Sequence, residues 1–177
     1  MKKTLIVTLL SVLTLFGCTL YFSACKQDPC VIRATDCRNG GTCKDGECIC
    51  ASGYEGDSCQ FKVNQKFDSY YACIRTRLIN SNPVSQDNDD TLRVKALSDK
   101  FQIQFYSIRD SVTEVLKANV NRNYVTIPSQ DLNFPTYTAN YYGNGSLNNG
   151  VLTLTVFRTW FDGSVNNSKT SYVGYKY

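Results

Sequence analysis

A chain of 177 residues has room for one ordinary domain and a small one, and 42% hydrophobic content against 19% charge excludes a disordered polymer. The formal charge is +4; without Lys2 and Lys3 it is 17 basic against 15 acidic residues, or +2. That is too balanced for a nucleic-acid binder, and the complete lack of histidine removes the commonest general base and transition-metal ligand.

Met1-Lys2-Lys3 is a short positive start, and Thr4 to Phe16 is an apolar run too short for a stop-transfer helix. This reads as a secretory signal. Small residues then precede a cysteine twice, in Leu15-Phe16-Gly17-Cys18 and in Phe22-Ser23-Ala24-Cys25. Both resemble the lipobox of bacterial lipoproteins, whose cysteine is acylated and becomes the new N-terminus. Cys25 is the preferred site and Cys18 the alternative. Cleavage before Cys25 leaves a polar spacer, Lys26-Gln27-Asp28-Pro29, and Ser23 to Cys30 resembles the start of EGF-bearing lipoproteins of the Bacteroidetes. The division is a signal peptide at 1–24 and a lipidated tether at 25–29. The resemblance implies a membrane partner through the lipid and a place in the envelope, most plainly the outer membrane. Cysteine arithmetic offers a counterweight: with Cys18 acylated instead, Cys25 and Cys73 are left to bridge.

Six of the nine cysteines fall between Cys30 and Cys59: Cys30, Cys37, Cys43, Cys48, Cys50 and Cys59, with gaps of six, five, four, one and eight residues. Spacing alone leaves many pairings open. Asn39-Gly40-Gly41 offers a turn of positive φ, and Asp45-Gly46 is suited to a two-residue hairpin loop. With Tyr54 and Gly56 before the last cysteine, residues 30–60 resemble an EGF-like module. That resemblance implies the pairs Cys30–Cys43, Cys37–Cys48 and Cys50–Cys59. A unit this small cannot bury a sufficient core, and three crosslinks at roughly 2–4 kcal/mol each replace one, which requires an oxidising compartment. Calcium-binding members carry several acidic groups before the first cysteine; here there is only Asp28. Growth-factor members carry Arg before the last cysteine, where Ser58 stands. A rigid spacer or contact module is the expectation, with no metal.

Gln60 to Gln65 reads as a junction. From Lys66 to Tyr177 the hydrophobic pattern alternates with period two. Strands are expected at Tyr70–Ile74, Leu92–Leu97, Phe101–Tyr106, Val112–Val120, Tyr124–Ile127 (ended by Pro128), Tyr137–Leu147, Val151–Phe161 as the longest, and Thr170–Tyr177. Asn80 to Asp90 reads as a polar loop. Asn149-Gly150 and Asp162-Gly163 read as turns. About eight strands in sequence order predict an antiparallel meander closed as a barrel or sandwich. The layout resembles the small lipocalin-like β-domains that follow such modules.

Chemistry is thin. Asp87-Asn88-Asp89-Asp90 lacks the Gly and Glu of a calcium loop, with Leu92 and Ser98 at those places. Cys73 has no base beside it and reads as structural; Arg75 shares its strand parity. Tyr137 to Tyr142, with Trp160, allow a ligand face. Asp90-Thr91-Leu92 and Asp110-Ser111-Val112 resemble a short O-glycosylation motif of Bacteroidetes exported proteins, making Thr91 and Ser111 candidate acceptors. The expectation is a non-enzymatic, cofactor-free surface lipoprotein that binds a protein or glycan. The alternatives are a carrier of a small apolar ligand and, less favoured, a glycan hydrolase.

Overall fold

The computed structural model describes Cys30, residues 36–109 and residues 114–177. Cys18, Cys25, Ser111 and the leader lie outside the described residues.

The N-terminal unit is small and crosslinked. Strands β1 (Thr42–Lys44) and β2 (Glu47–Ile49) form a hairpin over Asp45-Gly46, with φ of 53° and 85°. Strands β3 (Tyr54–Glu55) and β4 (Phe61–Lys62) form a second pair. β4 lies in the stretch read as a junction, because Phe61 and Lys62 fold back on Glu55 and Tyr54. Disulfides join Cys30 to Cys43, Cys37 to Cys48 and Cys50 to Cys59.

The rest is a barrel. Strands β5 (Ser69–Ile79), β6 (Asn82–Ala96), β7 (Gln102–Ser107), β8 (Leu116–Asn121), β9 (Tyr124–Asn133), β10 (Thr138–Asn148), β11 (Val151–Phe161) and β12 (Val165–Lys176) each pair antiparallel with the next. β12 then returns to β5 and closes eight strands into one cylinder. Closure removes every free edge, which answers the choice between barrel and sandwich. Alternation decides what is inside. Tyr71, Leu92, Val94, Ile103, Phe105, Ala118, Val120, Val125, Ile127, Leu152 and Leu154 are buried, while Lys117, Asn119, Thr126 and Thr153 face out. A membrane barrel has the reverse arrangement, with an apolar outer band. Gly143 and Gly145 let β10 curve tightly on β11, since a Cβ at either would lie 2.1 Å from a backbone oxygen, of Thr155 or Thr153.

One end of the barrel is closed by the chain that enters it. Phe67, in a 3-10 turn at Gln65–Phe67, is fully buried, and Val63 nearly so. Asn64 is also fully buried, and its Nδ2 lies 3.0, 2.8 and 2.9 Å from the carbonyls of Leu97, Asp99 and Gln102. This amide clamps the linker to the β6–β7 loop. Lys66 pairs with Glu55 at 2.8 Å, and Lys100 sits 4.4 Å over the Tyr54 ring, so the crosslinked unit rests against the same end.

Four sequence expectations need correction. Asn80 to Asp90 is not a loop: Asn80-Ser81 makes a two-residue turn with φ of 46° and 67°, and β6 runs on from Asn82. Side-chain pairing holds the polar stretch extended, as described below. β6, with 15 residues, is therefore the longest strand, not β11 with 11. Pro128 does not end β9, which continues to Asn133. Pro128 falls where the β9–β10 register shifts and beyond the last β8–β9 rung, so no ladder bond needs its missing N–H. There the Gln130 side chain stands in for a rung: Nε2 donates to Lys117 O at 2.8 Å and Oε1 accepts from Lys117 N at 3.0 Å. The strand expected at Val112–Val120 begins only at Leu116.

Candidate functional site

The barrel interior changes character along its axis. Near the closed end it is apolar. Toward the opposite mouth, where β5, β7, β9 and β11 end, the inward positions carry charge.

Two networks occupy this mouth. In the first, Arg75 is 5% exposed and Asp90 1%. Arg75 meets Asp87 at 2.7 Å and Asp90 at 3.4 Å. The Ser107 hydroxyl lies 2.8 and 3.0 Å from the two Asp90 oxygens. Arg109 reaches Asp89 at 2.5 Å and Asp87 at 3.5 Å. The hydrogen bond from Arg75, with the Arg109 charge beside it, holds the Asp87 carboxyl below its ordinary pKa. The acidic run at 87–90 is thus a counter-ion set for two arginines, and the pairing keeps this stretch of β6 against β5 and β7.

In the second, Arg158 enters a ring of four aromatic side chains. Its guanidinium lies 4.8 Å from the Trp160 ring, 5.4 Å from Phe134, and 5.5 Å from Tyr137 and from Tyr141. Nη2 donates to the Tyr137 hydroxyl at 2.5 Å, and Glu114 stands 3.8 Å from Nη1. Burial, and next the Glu114 charge, push the Tyr141 hydroxyl well above its ordinary pKa. Between the networks the free space is about 30 Å³, room for a water or two. Arg77, Glu114, Arg158, Ser168, Thr170 and Tyr172 all face it.

The aromatic face expected at Tyr137–Tyr142 is split by strand parity. Tyr137, Tyr141 and Trp160 converge on Arg158 inside, whereas Tyr142 points out and stacks on Phe157 at 5.1 Å. Arg158 was missed by sequence reading, although a signal existed: it shares the inward parity of Val156 and Trp160. Thr91 lies on β6, half-buried and facing outward between buried Asp90 and Leu92. Cys73 carries a free, buried thiol whose Sγ lies 3.4 Å from Tyr71 O. Burial pushes it up to about 11, which leaves it protonated and unreactive at neutral pH. Among the described residues, no three His, Cys, Asp or Glu side chains gather as a metal site would require. No helix among them is long and apolar enough to cross a membrane.

Comparison with protein-family models, with curated proteins and with solved structures returned no match.

Proposed function

We propose that the chain is an exported lipoprotein held by a lipid at Cys25, with an EGF-like spacer and a β-barrel that binds a macromolecule on its outer surface without catalysis. The supporting observation is the filled barrel. A carrier of an apolar ligand needs several hundred Å³ of empty apolar interior. Here the axis is packed from Phe67 to Tyr141, and only about 30 Å³ remains, faced by Arg77, Glu114 and Arg158 together with apolar side chains such as Leu92, Phe105 and Val156. Recognition therefore falls to the outer wall, where polar side chains are interrupted by exposed aromatic ones such as Tyr142 and Phe161. The chemistry at the mouth also favours binding over hydrolysis. Asp87, Asp90 and Glu114 each face an arginine, whereas a glycosidase acid needs a carboxyl with a raised pKa beside an open cleft.

Two features favour Cys25 as the acylated residue. Cys73 is shut inside the barrel wall as a free thiol, so Cys25 is not needed as its partner. Three disulfides use the six cysteines from Cys30 to Cys59 among themselves. The test is to express the full chain with its leader in a bacterial host and measure intact mass and organic-extractable ligand from the membrane fraction. The expected product begins at an acylated Cys25 and carries no stoichiometric apolar ligand. A soluble, unacylated product would remove the tether, and a co-purifying apolar molecule would restore the carrier.

A further inference from the structure

On the outer wall near the mouth, cross-strand registers set four side chains in one row. Tyr142 of β10 faces Phe157 of β11, Phe157 faces Lys169 of β12, and Lys169 faces Leu78 of β5. Tyr142 and Phe157 stack nearly parallel, at 5.1 Å and 15°. The row forms part of a groove of about 450 Å³, whose other contributors include Ser81, Thr159 and Asn167. That volume falls in the range of small-ligand sites. No acidic side chain lines the groove, and among the described residues Lys169 has no ion-pair or hydrogen-bond partner.

We propose that this groove is a subsite for an acidic saccharide, in which the Phe157–Tyr142 pair packs the C–H face of a pyranose ring and Lys169 takes its carboxylate. The inference rests on the reading of the barrel as a surface binder and names the chemistry of its ligand. Each part of the groove matches one part of such a sugar. The aromatic pair gives apolar contact area with a polar tip at the Tyr142 hydroxyl. Thr159, Ser81 and Asn167 supply neutral donors and acceptors suited to ring hydroxyls. Lys169 supplies three donors and an uncompensated positive charge, so the ligand needs an anionic group there. A peptide fits less well. A closed barrel has no strand edge for an added β-strand, and the groove has too few apolar walls to seat a helix.

The test is calorimetry of the full mature chain, in detergent, against tetragalacturonate, a hyaluronan tetrasaccharide and sialyllactose, with methyl-esterified tetragalacturonate as the neutral counterpart. Variants are Lys169→Gln, Lys169→Arg and Phe157→Ala, with Lys117→Gln as a control for an exposed lysine on β8. The expected result is binding of at least one acidic sugar. Loss of the charge-assisted contact should then weaken binding roughly ten-fold or more in Lys169→Gln, with retention in Lys169→Arg and Lys117→Gln. Phe157→Ala should weaken it as well, in a variant whose cooperative thermal unfolding, lowered by the lost stacking on Tyr142, still shows it folded at the assay temperature. Binding to none of the three acids overturns the proposal, as does equal binding of acid and ester, or an equal loss in Lys117→Gln. If the same wild-type chain captures a neutral glycan or a protein instead, the acidic-sugar subsite falls while the surface-binder reading stands.

Discussion

Asn64→Asp is the sharpest probe of how the crosslinked unit is fixed to the barrel. The change is isosteric, so no cavity forms, but it turns a donor nitrogen into an acceptor oxygen facing three carbonyls at 2.8 to 3.0 Å. Only the nitrogen end of the amide can face such a set. The Gln102 and Asp99 carbonyls also accept backbone bonds, from Leu97 and Gln102, so they keep one partner each. The expected cost is therefore the lost bonds at ~1 kcal/mol each plus the penalty for a desolvated oxygen in a fully buried position, together about 3–5 kcal/mol. Asn64→Ala should cost less, about 2–3 kcal/mol, because it removes the donor without adding repulsion. The aspartate variant should recover part of its loss on acidification. Burial among carbonyls raises its folded pKa, so the native state takes up a proton more readily than the unfolded chain and relative stability grows as pH falls. Urea unfolding at pH 7 and pH 4, followed by tryptophan fluorescence, reads both effects. Asn64→Asp within ~1 kcal/mol of wild type at pH 7 would refute the clamp.

The native barrel should lose stability between about pH 9 and pH 12. Burial holds the Cys73 thiol up to about 11 and the Tyr71 hydroxyl up to about 12, against ordinary values of 9.0 and 10.0. The folded state keeps protons that the unfolded chain releases, so the stabilisation is complete below pH 9 and fades as pH rises; chemical denaturation at several alkaline pH values checks this. Cys73 should react with a thiol reagent only at the rate of unfolding, and fast native labelling at pH 8 would contradict its burial. Gly174→Ala should destabilise by a few kcal/mol, because the added Cβ would sit 2.4 Å from Cys73 Sγ; the double change with Cys73→Ala should recover much of it, and thermal melts of the pair decide. Asp90→Ala removes one of the two carboxylates that the nearly buried Arg75 meets and should cost about 2–4 kcal/mol by denaturant titration, more than Asp89→Ala, whose side chain is exposed.

The alternation that makes the barrel was legible from Lys66 onward because the period of two is a local property of each strand. Where pairing partners supply the order, local reading failed. Asn82 to Asp90 looks like a loop because its composition is polar, but the charges that keep it extended come from Arg75 on β5 and Arg109 after β7. Pro128 looks like a stop because Pro lacks a donor, and only the register shows that no donor is needed there. The aromatic cluster was legible as a composition that allowed a ligand face, and parity divides it by sending Tyr141 inward and Tyr142 outward. Arg158 was passed over because an inward arginine between Val156 and Trp160 breaks the apolar pattern. Its place makes sense only once Phe134 and Tyr137 from the β9–β10 connection and Glu114 from before β8 surround it. Spacing alone also left the disulfide pairs open: the β1–β2 hairpin sets Cys43 opposite Cys48, yet each bonds a cysteine from before the hairpin, Cys30 and Cys37.

The polarity gradient inside the barrel follows from where the chain enters. The entering segment brings Val63, Asn64 and Phe67 into one end, so that end is sealed from water and can be apolar throughout. Among the described residues, no such plug enters the other end. An apolar lining there would meet solvent, and the sequence instead places arginine–carboxylate pairs and an aromatic-caged arginine at the mouth. Buried pairs of this kind contribute little net stability, but each is costly to break, which fixes β6 and β11 in register. The mouth, the turns at Asn80-Ser81 and Asp162–Ser164, and the Lys169 groove beside them lie at the opposite end of the barrel from the crosslinked unit, which meets Lys66 and Lys100.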